Sequence, residues 1–162
     1  DLGLREPILK NPSEWYRSIA KKLKRDNYLA IHVRKGDYLN LKDTFGVLNK
    51  TYYLNAIETL KGGELNPKVI VFSDDISLAK SMFKGHNFSF VAPPEFSNPV
   101  ESMFLMKECE KIVIANSSFS WWAAKLGGSQ KNVVAPESWF KNMKNPSELI
   151  PANWIKLRSS WE

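Results

Sequence analysis

Three short polar clusters carry the residues able to do chemistry, and each follows directly on an apolar run. They are His32-Val33-Arg34-Lys35-Gly36-Asp37-Tyr38, Ser73-Asp74-Asp75 and Asn116-Ser117-Ser118-Phe119-Ser120. A diphosphate needs positive charge and several hydrogen-bond donors. Arg34 offers a fixed fork, Lys35 a point charge, and the Ser117 and Ser118 hydroxyls with nearby backbone N–H groups complete a cradle. Each cluster also has a plainer reading. His32 fits a buried, hydrogen-bonded strand histidine. Arg34 and Lys35 fit a solvated pair, or a tight turn with Gly36 and Asp37. Asp74 and Asp75 fit helix caps, and so does the serine-rich turn. Asp74-Asp75 also invites a metal, but a hard cation would require further oxygen ligands that the sequence does not identify. The combination of a guanidinium, an ammonium and a hydroxyl-rich helix entrance favours a phosphorylated ligand. Two common nucleotide signatures are missing: there is no G-x-G-x-x-G and no G-x-x-x-x-G-K-[ST].

The elements that must position these clusters follow from hydrophobic periodicity, which switches repeatedly between two and about 3.6. Asn11-Pro12-Ser13-Glu14 predicts a helix start, with Asn11 as cap and Pro12 in the first turn. Trp15, Ile19 and Leu23 then share its inner face. Residues 28–34 form a strand with Leu29, Ile31 and Val33 on one side and Ala30, His32 and Arg34 on the other. A polar loop leads to a helix over 52–60. A buried strand at 68–72, a helix at 76–83 and a short strand at 88–91 come next. A helix at 100–109, a strand at 111–115, a helix at 120–126 and a strand at 132–135 complete the alternation, with a last strand expected at 154–157. Strands rich in Val and Ile between helix-length segments imply parallel pairing. The expected fold is therefore α/β, a Rossmann-like, doubly wound, mostly parallel sheet. In such sheets ligands bind at the carboxyl ends of the strands, where all three polar clusters fall.

Composition sets the outer limits. The 162 residues suit one domain, 43% of them are hydrophobic, and Cys109 is the only cysteine, which excludes an internal disulfide. Mean hydropathy is −0.34. The net charge of +6 fits an anionic partner, whether a phosphorylated small molecule, an acidic membrane surface or nucleic acid, and fits a plain excess of surface lysine equally well. A basic nucleic-acid module would gather lysines and aromatics on one face. Here the lysines are scattered and the aromatics keep helix-core spacing, so no nucleic-acid partner is expected.

The segments HVRKGDY (32–38), VFSDD (71–75) and ESMFLMKECEKIVIANSSFSWWAAKL (101–126), with NVVAPESWF (132–140) and PANWIKL (151–157), cover nearly the whole chain. In this order they resemble the alpha-1,2-fucosyltransferases of glycosyltransferase family 11. The resemblance implies one half of a two-domain GT-B enzyme. That enzyme would transfer L-fucose from GDP-fucose, with inversion and without a metal or other cofactor, to the 2-hydroxyl of a galactose in a glycan acceptor. It further implies that residues 1–162 form the C-terminal nucleotide-sugar-binding domain. The family's glycine-rich G-x-G-N-Q segment, which belongs to an N-terminal acceptor-side domain, has no match here. Arg34 would grip the diphosphate and assist its departure. Lys35 stands where the family usually has a second arginine. His32 and Glu101 would meet the guanine or ribose, and Ser117 and Ser118 the phosphates, with Asp37, Ser73, Asp74 and Asn116 around them. Glu101 replaces the family's more usual Asp. The setting expected is bacterial polysaccharide or lipopolysaccharide synthesis in the cytoplasm, with the basic charge touching an anionic membrane face. A nucleotide-sugar-binding module without catalysis is the alternative.

Overall fold

The structure, a computed structural model, describes residues 9–128 and 131–162. In chain order it contains α1 (Glu14–Asp26), β1 (Leu29–Val33), a 3-10 helix (Asp37–Leu41), α2 (Lys50–Leu60), β2 (Val69–Ser73) and α3 (Ile76–Met82). Then come β3 (Ser89–Phe90), α4 (Pro99–Glu108), β4 (Lys111–Val113), α5 (Ser118–Leu126), β5 (Asn132–Pro136) and β6 (Ile155–Leu157). The six strands form one sheet in the order β3-β2-β1-β4-β5-β6. Every pairing within it is parallel. This is the strand order of the dinucleotide-binding α/β fold, and its direction of winding reverses between β1 and β4.

Strand alternation divides the core into two faces. Ala30, Ile70, Phe72, Ile112, Ile114 and Val133 point to one face, where Leu23, Leu105, Met106 and Ala123 bring α1, α4 and α5. Leu29, Ile31, Val71, Val113 and Val134 point to the other, against Tyr52, Tyr53, Ile57 and Ala79 of α2 and α3. Helices thus cover both sides, and all five residues of β1 are buried. Burial of each large apolar side chain stabilises the fold by roughly 1.5–3 kcal/mol. The Tyr52 hydroxyl, itself buried, donates to the Ile114 carbonyl at 2.8 Å and so holds the end of β4 against α2.

Several boundaries differ from expectation for local reasons. Ser13, not Asn11, caps α1: its backbone is extended and its hydroxyl accepts from the Tyr16 N–H at 3.1 Å. A cap side chain reaches the amide two or three positions on, so Ser13 serves the Tyr16 N–H and Asn11, five before it, does not; Pro12 lies outside the helix. The helix expected from residue 52 begins at Lys50, because Asn49 caps it. The loop expected after β1 contains the 3-10 helix. A further link was not anticipated: Leu48 bridges antiparallel to Trp161, and Glu162 N–H donates to the Val47 carbonyl at 2.8 Å. Among the described residues no helix is long and apolar enough to cross a membrane.

Candidate functional site

β1 borders the point where the winding reverses, with His32 next to its last residue and Arg34 directly after it. With Ser73 and Asp74 from the end of β2, Val91 and Pro93 after β3, Ser102 of α4 and Phe119 of α5, they line a cavity of about 230 Å³. Four of the expected site residues therefore meet in one place: His32, Arg34, Ser73 and Asp74.

His32 is 3% exposed and packs at 5.2 Å between ring centroids on Phe119. Burial, and secondarily the charge of Arg34, pushes its pKa down to about 3, so the imidazole is neutral. Its Nδ1 has no partner among the described residues. Arg34 is framed by carboxylates. Its Nη2 donates to Asp37 at 3.0 Å, and its Nε lies 3.5 Å from Asp74 Oδ2. The guanidinium also stands 5.3 Å from the centre of the Tyr38 ring, a cation–π contact. Asp74 accepts the Lys35 backbone N–H at 3.1 Å, which fixes its carboxylate beside Arg34. Gly36 makes room for that arrangement, since a Cβ there would collide with the Asp74 carboxylate. Ser73 accepts from the Asp75 N–H at 3.1 Å, and Asp75 caps α3.

The other expected residues are engaged elsewhere. The Lys35 ammonium pairs with Glu162 and does not line the cavity. The Asn116 side chain donates to the carbonyls of Phe45, Gly46 and Trp139 at 2.8, 3.3 and 3.1 Å. It joins two loops to the end of β4. Ser117 is the buried N-cap of α5, without a side-chain capping bond. Ser118 is exposed and faces a neighbouring groove with Tyr38, Trp121 and Trp122. Glu101 is 5% exposed, and its two oxygens accept from the Ser13 N–H and hydroxyl at 2.6 Å each. That carboxylate ties α4 to the start of α1.

Two residues that the sequence reading did not single out complete the site. Tyr38 lies under Arg34 and donates to the Asn116 carbonyl at 3.1 Å, coupling the β1 end to the β4 end. Burial raises its phenol pKa, which keeps it a donor. Phe119 covers His32. Both stood inside the polar clusters, and an aromatic beside a guanidinium or an imidazole was the available signal. Among the described residues no three His, Cys, Asp or Glu side chains converge as metal ligands would.

The family model described as glycosyl transferase family 11 matches residues 4–158. The chain belongs to glycosyl transferase family 11. The O-antigen biosynthesis glycosyltransferase WbnK of Escherichia coli is 37% identical over 136 residues, covering 81% of this chain and 45% of that protein. An alpha-1,2-colitosyltransferase from the same species is 34% identical, over 81% of this chain and 48% of that one. The galactoside 2-alpha-L-fucosyltransferase SEC1 of Bos taurus is 25% identical, over 82% and 39%. This family 11 chain thus spans less than half the length of these curated relatives.

Proposed function

We propose that this chain supplies donor binding to a galactoside alpha-1,2-fucosyltransferase that takes L-fucose from GDP-fucose and inverts the anomeric centre. In this reading the sheet is the nucleotide half of a two-domain GT-B enzyme. The observation that carries it is the cavity at the winding reversal, with a neutral imidazole and a braced guanidinium side by side at the end of β1. The names of the family 11 relatives supply the sugar chemistry.

Transfer breaks the bond between the anomeric carbon and the diphosphate oxygen, whose electron pair leaves with GDP. The acceptor hydroxyl oxygen forms the new bond from the opposite side as its O–H bond breaks and the proton passes to solvent. Negative charge grows on the departing diphosphate, so a donor aimed there binds the transition state better than the ground state. Arg34 serves that purpose, and Asp37 and Asp74 keep its fork from rotating away. His32, uncharged, offers a hydrogen bond to base or ribose. Lys35 would exchange Glu162 for a phosphate oxygen, and the first turn of α5 adds backbone N–H groups.

In the full-length protein, Arg34→Ala should lower kcat/KM for fucosyl transfer by about 10²–10³-fold while the circular dichroism spectrum stays native. Activity near wild type would remove Arg34 from this role. The 34% identical colitosyltransferase favours a second reading, in which the transferred sugar is colitose. Competition between the fucosyl and colitosyl donors separates the two.

A further inference from the structure

Phe96 lies in the segment between β3 and α4 and is 97% exposed. Its φ is +61°. The Ser97 N–H donates to the Pro94 carbonyl at 3.1 Å, closing a four-residue turn in which Phe96 is third. A positive φ at that position is normally met by glycine or asparagine. Among the described residues the other non-glycine case is Asn27, which ends α1, a use that suits asparagine. A phenylalanine there is strained and unburied, so neither backbone preference nor packing in this state accounts for it.

Its neighbours place it. Pro93, Ser97 and Pro99 line the cavity that holds His32 and Arg34, so the turn carrying Phe96 is part of the cavity rim. Phe72, Val91 and Phe119 make much of the remaining wall apolar. Of the parts of a nucleotide diphosphate, only the base has broad faces that suit such a wall, and an aromatic ring at the rim can stack on them. We propose that Phe96 is a donor-binding residue, its ring closing over the base of a guanine nucleotide seated in this cavity. The proposal rests on the donor-binding reading and adds to it the group that covers the base. Stacking removes the ring from water, and a backbone already bent at Phe96 directs it without a new turn having to form.

The test is calorimetry on the full-length protein with two probes, GDP and inorganic pyrophosphate. Phe96→Ala and Phe96→Gly should each weaken GDP binding about tenfold and leave pyrophosphate binding unchanged. Phe96→Tyr should retain GDP affinity. Phe96→Gly should also melt at a higher temperature than wild type, because glycine accepts the positive φ, which separates the ring's role from the strain of the turn. GDP affinity unchanged in Phe96→Ala, or equal losses for both probes, overturns the proposal while leaving the donor reading intact. Wild-type protein that fails to bind GDP overturns both.

Discussion

His32 sits at the back of the cavity as a neutral imidazole, and this has a consequence for acid stability. The unfolded chain binds a proton there near pH 6.5, the folded chain only near pH 3. Between those values the unfolded state holds the extra proton, so stability falls as pH drops from 6.5 toward 3 and is untouched above 6.5. This group should remove roughly 2 kcal/mol of unfolding free energy between pH 7 and pH 5. Urea titrations at the two pH values check it, and His32→Gln should flatten the difference. An equal pH slope in both proteins would contradict the assignment. The residue types that suit a diphosphate were legible in the sequence. Their engagements were not: Lys35 reaches Glu162, 127 positions away, and no local pattern encodes that pairing.

The helices that flank the site are fastened by side chains at their ends. Glu101, in the first turn of α4, binds the Ser13 cap of α1 through both oxygens. Hydrogen bonds to a charged group are worth roughly 1.5–3 kcal/mol, and removing the buried carboxylate withdraws both of these part-buried bonds from exposed Ser13, whose donors then turn to water. Glu101→Ala should therefore lower unfolding free energy by about 2–3 kcal/mol, measured by urea titration, with GDP affinity preserved. Lost GDP affinity at unchanged stability would instead favour the nucleotide contact that the family resemblance implies. Helix existence was readable from periodicity, yet the α1 cap moved from Asn11 to Ser13. Both residue types cap well, and the choice between them rests on which extended residue lies two or three before a free amide.

The molecule as a whole depends on loops being held against the sheet edge. Asn116 gathers the Phe45, Gly46 and Trp139 carbonyls beneath the end of β4, and Tyr38 adds a bond to its own carbonyl. Asn116→Ala would leave those carbonyls without this donor in a buried setting. A loss of about 2–4 kcal/mol is expected. Thermal unfolding would measure it, together with weaker GDP binding as the β1 and β4 ends separate. A variant as stable as wild type would show that water satisfies these groups equally well. The same clamp positions the groove of Trp121 and Trp122 beside Tyr38, where Trp121 donates to the Leu149 carbonyl at 2.7 Å and Trp122 stays 39% exposed.

Alternation in residues 28–34 and the continuous apolar runs at 68–72 and 111–115 were enough to define strands, and the helix-length segments between these Val- and Ile-rich runs gave their parallel character. Side-chain direction along a strand repeats every two residues and depends on nothing distant. The same logic put three polar clusters at strand ends. Which ends become neighbours was a matter of strand order, 3-2-1-4-5-6, and that order sets β1 beside β4 and β2. Folding then committed Lys35, Glu101 and Asn116 to partners 127, 88 and 71 positions away. It left His32, Arg34, Ser73 and Asp74 facing the open cavity. A periodic pattern is local and survives in the sequence, whereas a hydrogen-bond partner exists only once the chain has closed on itself.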